Sequence, residues 1–215
     1  MSRLRSSFSD NDKISLNGVV DRVDVLNKDG KTYVRVVDYK SSKKTIKADD
    51  IEDGNNLQML IYLFALINGA KPELLEKMGA EGELLGAGVL YFGNFSRQVK
   101  HPGGVDDIEE ALALAESNLS RSGILIDDLS VLKAMEKELE GKYIPYRFSN
   151  DIDTMRERGV LVSLERLKEL YDIVQGTIRE KAEMLKSGDA TAIPSESNGY
   201  CTWCRMKTIC RGGSN

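Results

Sequence analysis

The sequence predicts an α/β fold with a sheet core in its first half and a mostly helical second half. Two strand-like runs, ISLNGVVDRVDVL and TYVRVVDYK, are joined by NKDG, whose Asp29-Gly30 pair suits a tight hairpin turn. A helix-like run, NNLQMLIYLFALING, and a strand-like run, LLGAGVLYF, follow the hairpin. The predicted order of the core is therefore β, β, α, β.

Pattern predicts that the helix and the last strand of this core are buried. The helical run is apolar at nearly every position and ends at Gly69, a natural C-cap. The run LLGAGVLYF shows no alternation, which is typical of a central strand covered on both faces.

From Pro102 onward the pattern is mostly helical, and Ser163 is placed as the N-cap of a long helix. The predicted helices cover 106–119, 127–139 and 163–185, with a loop over 141–153. We expect three parts of the chain: the core in 1–100, a helical extension of the same domain in 101–198, and a cysteine segment in 199–215.

Composition limits the classes of protein to consider. The 215 residues are 41% hydrophobic and 30% charged, which suits one sizeable core. The longest apolar run, MLIYLFALI, is far short of the about 20 residues that span a bilayer, and the N-terminal residues lack a signal-peptide pattern. We expect a cytoplasmic protein without membrane contact. The net charge of −4 gives no overall support to nucleic-acid binding, so such a surface must be local.

The run VRVVDYKSS places two charges on an apolar strand face. Because side chains alternate along a strand, Asp38 and Lys40 share the face of Val34 and Val36. Burying either charge is costly unless it is paired or bound to a metal. Taken alone, the pattern fits an internal salt bridge as well as a functional site.

Asp21 interrupts the first hairpin strand in the same way. It shares the parity of Val19 and Val23, whereas Asp24 points to the other face, so Asp21 and Asp38 can converge across the hairpin. Two carboxylates together suit Mg²⁺ or Mn²⁺. The alternative is a set of ion pairs without chemistry, with Asp21 on Lys40 and Asp38 on Arg22 or Arg35.

The buried helix carries two polar residues, Gln58 and Tyr62, four apart and therefore on one face. With GVVD, VVDYKSS and NNLQMLIY in this order, the chain resembles the RecB-like branch of the PD-(D/E)XK nuclease superfamily. The resemblance covers Gly18 to Phe92 as core. It implies a restriction-endonuclease-like core, a mixed β-sheet flanked by helices.

The segment YCTWCRMKTIC holds all three cysteines, Cys201, Cys204 and Cys210. A C-x2-C pair with a third cysteine six residues later brings three thiolates within reach of one metal centre. Spacing alone leaves zinc and a [4Fe-4S] cluster open. Together with the nuclease core, the motif resembles the iron-sulfur nucleases of the AddB family and, more distantly, the CRISPR adaptation nuclease.

The resemblance implies a DNA exonuclease within an AddAB-type helicase-nuclease, working with an AddA-like helicase subunit in double-strand break repair. It implies Asp21, Asp38 and the backbone carbonyl of Tyr39 as ligands of Mg²⁺ or Mn²⁺, and Lys40 as the residue that orients the attacking water. It further implies that Gln58 steadies the site around Lys40 and that Tyr62 meets the DNA. Lys43, Lys44 and Lys47 are either phosphate contacts or a solvated run.

The chain departs from the family pattern in two ways. An upstream histidine ligand and a fourth cysteine are missing, and we expect His101 to be an ordinary loop residue. No phosphate-binding G-x-x-x-x-G-K-[ST] motif occurs either. We therefore expect a C-terminal part of a longer protein with an incomplete cluster. The alternative function is a catalytically inert module that binds DNA or acts as a scaffold.

Overall fold

The structure is a computed structural model. It describes residues 2–7, 15–41, 44–46, 51–52, 54–93, 121–189, 191, 201, 204–206 and 208–210. The chain divides into two compact units, Met1–Val174 and Gln175–Asn215. The first unit contains the strands, the first four helices and the last helix as far as Val174, and the second contains the rest of that helix and the three cysteines.

The described strands are β1 (Ser2–Ser7), β2 (Ser15–Val20), β3 (Arg22–Lys28), β4 (Lys31–Lys40), β5 (Glu83–Gly93), β6 (Arg121–Ile126) and β7 (Leu161–Val162). The described helices are α1 (Gln58–Gly69), α2 (Pro72–Met78), α3 (Leu129–Met135), α4 (Ile152–Glu157) and α5 (Leu164–Ser187).

A mixed sheet with the order β3-β4-β5-β6-β7 forms the centre of the first unit. β3 pairs antiparallel with β4, β4 parallel with β5, β5 antiparallel with β6, and β6 parallel with β7. The parallel step from β4 to β5 requires a crossover connection, which contains α1. The predicted α/β class, a mixed sheet flanked by helices, is confirmed.

One part of the core lies between α1 and the middle of the sheet. Met59, Leu60 and Leu63 of α1 are fully buried, as are Val34 and Val36 of β4. The ring of Phe64 meets the ring of Tyr171 on α5 edge to face, with centroids 5.1 Å apart. This burial holds α1 firmly against the strand that carries the candidate site.

The predicted hairpin turn is confirmed. Asp29 and Gly30 both adopt positive φ, 51° and 72°, which is the geometry that joins twisted antiparallel strands through two residues. Helix α1 ends at Gly69 as predicted, although its cap position is the extended Ala70. The long helix α5 follows Ser163, whose Oγ accepts a hydrogen bond from the backbone N–H of Arg166 at 3.1 Å, as expected of an N-cap.

One expectation about a strand is wrong, and two strands were missed. The first hairpin strand is not continuous: it breaks at Asp21 into β2 and β3, because β2 pairs in a separate two-stranded sheet with β1, which pattern did not predict. The described part of the chain after residue 100 is mostly helical, as predicted, but it also contains β6 and β7, which the pattern did not predict and which join the central sheet. Hence the sheet crosses the boundary expected at residue 100, and the division into parts stays a prediction.

The expected helix over 127–139 is shorter, since α3 begins after the N-cap Asp128 and ends at Met135. The expected loop over 141–153 contains the start of α4. The expected helix over 106–119 lies outside the described residues. Among the helices that the structure does describe, none combines the length and apolar character needed to cross a membrane.

Candidate active site

Strand β4 carries two charged residues at its carboxyl end. Val34, Val36 and Asp38 follow one another on the face covered by α1, and Asp38 is only 8% exposed. The ammonium nitrogen of Lys40 lies 2.6 Å from Oδ2 of Asp38. That oxygen is buried, and apart from this contact no group of the described residues donates to it. A buried carboxylate oxygen with unused acceptor capacity suits a cation.

Asp21 lies beside this pair, at the break between β2 and β3. Arg22 pairs with Val37, and the same register continued by one residue would set Asp21 opposite Asp38. Its Oδ2 accepts a hydrogen bond from the backbone N–H of Tyr39 at 3.1 Å. At the break in the strand, the exposed carboxylate of Asp21 thus lies next to the end of β4, which carries Asp38.

Asp24 faces away from this site. Its carboxylate accepts hydrogen bonds from Arg22 at 2.5 Å and from Arg35, its cross-strand partner, at 2.5 and 3.0 Å. These pairs differ from the alternative set of ion pairs, because both arginines pair with Asp24 and Asp38 pairs with Lys40. Alternation along β3 thus separates an ion-pair face from the face of the candidate site.

The oxygen donors present fit a hard divalent cation. Asp21 and Asp38 supply carboxylates, and Mg²⁺ commonly takes one or two carboxylates while keeping several waters. Within the described ranges, no group of three or more His, Cys, Asp or Glu side chains is placed to hold a metal. A metal at this point would therefore be held by two carboxylates, a backbone carbonyl and ligands from water or from beyond the described residues.

Sequence reasoning missed Tyr91, which faces Lys40, and Asn56, which accepts a hydrogen bond from Tyr91. Tyr91 of β5 is the parallel-ladder partner of Asp38, and its ring centroid lies 5.5 Å from the Lys40 ammonium. The Tyr91 hydroxyl donates to Oδ1 of Asn56 at 2.9 Å, and Nδ2 of Asn56 donates to the carbonyl of Thr45 at 2.9 Å. The one available signal was that Tyr91 is the only polar side chain in LLGAGVLYF.

The hydroxyl of Tyr91 is strongly held in its protonated form. Burial raises the pKa of Tyr91 to about 12, and the negative charge of nearby Asp38 adds to the rise. The phenol is therefore a hydrogen-bond donor at neutral pH.

Gln58 and Tyr62 lie on one face of α1, as predicted, and Nε2 of Gln58 donates to the Tyr62 hydroxyl at 3.0 Å. A Cβ atom at Gly18 would overlap the Tyr62 ring, so the glycine of GVVD permits a close approach of β2 to α1. The two elements enclose a mainly apolar cleft of about 280 Å³ lined by Gly18, Gln58, Ile61 and Tyr62, among others.

The other residues that the sequence singled out are four basic residues and the three cysteines. Lys44 is exposed, whereas Lys43, Lys47 and His101 lie outside the described residues. In the second unit, the backbone N–H of Cys204 donates to the carbonyl of Cys201 at 3.4 Å, which is a long contact. In the part of this unit that the structure describes, the three thiols are not gathered into a metal-holding group, and the cluster stays a prediction.

Comparison with known proteins gives a consistent picture. A family model described as PD-(D/E)XK nuclease superfamily matches residues 3–211. The chain is 30% identical over 206 residues to a subunit of the ATP-dependent helicase/deoxyribonuclease of Clostridium acetobutylicum, covering 95% of this chain and 17% of the relative. The subunit of the same name from Caldanaerobacter subterraneus subsp. tengcongensis is 30% identical over 211 residues, covering 97% of this chain and 18% of the relative.

A third relative of that name, from Clostridium botulinum (strain Langeland), is 32% identical over 206 residues, covering 94% of this chain and 17% of the relative. The chain thus spans less than a fifth of the length of these relatives.

Proposed function

Because the chain belongs to the PD-(D/E)XK nuclease superfamily, we propose that it hydrolyses phosphodiester bonds of DNA with a divalent metal ion. The observation that carries the proposal is the arrangement at the end of β4. There Asp38 offers a buried carboxylate oxygen, Lys40 lies against it, and Asp21 approaches from the facing strand.

Asp21, Asp38 and the backbone carbonyl of Tyr39 would hold the metal. When bound, Mg²⁺ or Mn²⁺ supplies a polarised phosphate oxygen and a more acidic water. Lys40 then has two tasks that an ammonium performs well: it orients the attacking water and offsets the charge that develops on the phosphate.

The residues of α1 and of the loop after β4 would contact the substrate. The Gln58–Tyr62 pair lines the cleft between α1 and β2, where an aromatic ring and an amide suit a base or the sugar-phosphate backbone. Exposed Lys44 is suited to a phosphate contact, as Lys43 and Lys47 would be. These contacts supply the local positive charge that the overall net charge lacks.

The relatives carry the name of a helicase/deoxyribonuclease subunit, and this supports a place in an AddAB-type complex. We propose that the complete protein works in the cytoplasm with an AddA-like helicase subunit on DNA ends, as an exonuclease in double-strand break repair. Cys201, Cys204 and Cys210 would hold a [4Fe-4S] cluster, or zinc, that stabilises the C-terminal segment.

The direct test is digestion of end-labelled DNA in the presence of Mg²⁺ or Mn²⁺. The wild-type chain is expected to release labelled nucleotides only with the metal, while Asp38→Ala releases none. DNA binding by the wild type without any cleavage would instead support the alternative, an inert module. That alternative is supported by the fact that, in the described part of the chain, no third acidic or histidine side chain joins Asp21 and Asp38.

A further inference from the structure

Lys40 sits at the end of a strand, and its side chain is 30% exposed. A lysine side chain is long and loses considerable rotamer freedom when it is held in one place. Two neighbours among the residues that the structure describes hold it here. Its ammonium contacts Oδ2 of Asp38 on one side and faces the ring of Tyr91, 5.5 Å from the centroid, on another. An aromatic face attracts an ammonium through the negative charge density of its π-system.

Tyr91 is held firmly in this position. It is only 3% exposed and pairs with Asp38 in the ladder between β4 and β5. Its hydroxyl donates to Oδ1 of Asn56, and the amide of Asn56 is oriented by its own donation to the carbonyl of Thr45. Asn56 adopts a φ of 56°, a left-handed conformation that asparagine tolerates better than most residues. The network therefore ties the ring to the loop that leaves β4.

The two neighbours of Lys40 respond differently to a metal ion. A divalent cation at Asp38 competes with the ammonium for the same carboxylate, because both are positively charged. The Tyr91 ring carries no net charge, so its attraction for the ammonium does not depend on that carboxylate. Of these two neighbours, the Tyr91 ring is the one whose attraction for the Lys40 ammonium remains when the Asp38 carboxylate binds a metal.

We propose that Tyr91 is a positioning residue that retains the Lys40 ammonium at the site during the reaction, and that Asn56 holds Tyr91 in place for this task. The inference rests on the proposed nuclease function. It assigns no contact between Tyr91 and the substrate, so Tyr91 affects the rate only through Lys40.

Three variants separate the parts of this arrangement. Tyr91→Leu removes the ring, Tyr91→Phe keeps the ring and removes the hydroxyl, and Asn56→Ala releases the hydroxyl. Tyr33→Leu is the matched control, because Tyr33 is a partly buried tyrosine earlier on β4 that packs against a different apolar cluster. All variants are compared by thermal unfolding, so that a general loss of stability is recognised.

The kinetic measurement is DNA cleavage under saturating metal. Tyr91→Leu is expected to lower kcat about tenfold while KM for DNA stays within about twofold, since a retained ammonium acts at the transition state. Tyr91→Phe should keep kcat within about threefold of the wild type, because the ring still faces Lys40. Tyr33→Leu should leave both constants unchanged.

The second measurement does not need activity. In NMR spectra of protein labelled on lysine side chains, the Lys40 methylene signals should show an upfield ring-current shift, identified by its absence in Lys40→Ala. The shift should vanish in Tyr91→Leu and persist in Tyr91→Phe, with and without Mg²⁺. If the wild-type chain fails to cut DNA, the proposed function fails, whereas these spectra still decide whether Tyr91 retains Lys40.

Several results would overturn the inference: an unshifted Lys40 signal in the wild type, loss of the shift on adding Mg²⁺, or an unchanged kcat in folded Tyr91→Leu. A rise in KM alone would also overturn it, because that would indicate a substrate contact. If Tyr91→Leu does not fold, Asn56→Ala decides, with an expected partial loss of both kcat and the ring-current shift.

Discussion

The ammonium of Lys40 lies 2.6 Å from Oδ2 of Asp38, and the two side chains leave the same strand on the same face. Asp38 is almost fully buried, and a buried carboxylate normally needs a hydrogen-bond partner or a cation. Lys40 supplies the positive charge, and the carboxylate keeps further acceptor capacity because each of its oxygens has two lone pairs. The pair therefore forms a salt bridge, and its carboxylate can still accept a metal ion.

Replacing Asp38 should separate activity from stability. Asp38→Ala and Lys40→Ala are each expected to reduce DNA cleavage by a factor of about 10² or more, because each removes a group that acts at the reacting phosphate. The fold should remain, and Asp38→Ala should unfold at a midpoint near that of the wild type, whereas Lys40→Ala leaves the buried carboxylate without its cation and should unfold at a lower midpoint. Cleavage and thermal unfolding measured on the same samples check this, and parallel losses of both in Asp38→Ala would favour a purely structural salt bridge.

The two neighbouring aspartates of the hairpin should behave oppositely. Asp21→Asn is expected to eliminate Mn²⁺ binding in calorimetric titrations, because Asp21 is the carboxylate that meets the chain beside Asp38. Asp24→Asn should bind Mn²⁺ normally but lose about 1–2 kcal/mol of stability, since it weakens charged hydrogen bonds from Arg22 and Arg35. Loss of Mn²⁺ binding in Asp24→Asn would show that the ligand is assigned to the wrong face.

Gly18→Ala should disturb the Tyr62 side of the site. The added Cβ overlaps the Tyr62 ring, and this overpacking is expected to cost about 1–3 kcal/mol. The matched control is Gly176→Ala in helix α5, where nothing lies within 4 Å of the new Cβ. Because alanine has the higher helix propensity, this change should raise the free energy of unfolding by about 0.5–1 kcal/mol. Urea unfolding measures the free energy of unfolding of both variants. The same change in both would contradict close packing at Gly18.

The N-cap of α3 provides a pH test of stability. The hydroxyl of Ser130 and then the backbone N–H groups of Val131 and Ser130 lower the pKa of Asp128 by donating to its carboxylate. Because the folded pKa lies below the unfolded one, the stabilisation is present above the unfolded pKa, about 3.9, and is lost as the pH falls through the folded value.

Asp128→Ala should therefore lower the free energy of unfolding by about 1 kcal/mol at pH 7, and the difference from the wild type should shrink as the pH falls below about 4. Urea unfolding at both ends of this range measures the two differences. A difference of the same size at both would contradict the role of the charged carboxylate.

The cysteine segment makes a prediction about metal content. Three thiolates leave one corner of a cubane cluster without a protein ligand from this chain, and such clusters are more exposed to oxygen. Protein purified in air should therefore contain little iron, as measured by elemental analysis with an assay for sulfide. Stoichiometric iron and sulfide would contradict this, and stoichiometric zinc that is lost in Cys204→Ser would point to a structural zinc site.

Much of the candidate site follows from the sequence because its spacing is local. Alternation along a strand is a property of the backbone alone, and it places Asp38 and Lys40 on one face without knowledge of the neighbours. The four-residue spacing of Gln58 and Tyr62 likewise follows from the helical repeat. The Asp29-Gly30 turn needed only the conformational preferences of two residues.

Tertiary structure decided the features that depend on distant partners. The break at Asp21 arises because β2 pairs with β1 while β3 pairs with β4, and no local pattern announces such a change of partner. Strand β7 has only two residues, too few for any periodicity, and exists because β6 offers it a free edge. The ring of Tyr91 reaches Lys40 only through the parallel pairing of β4 with β5, and Asn56 reaches Tyr91 only through packing. The sequence by itself thus determined which residue types share a face, whereas long-range strand pairing decided which faces meet.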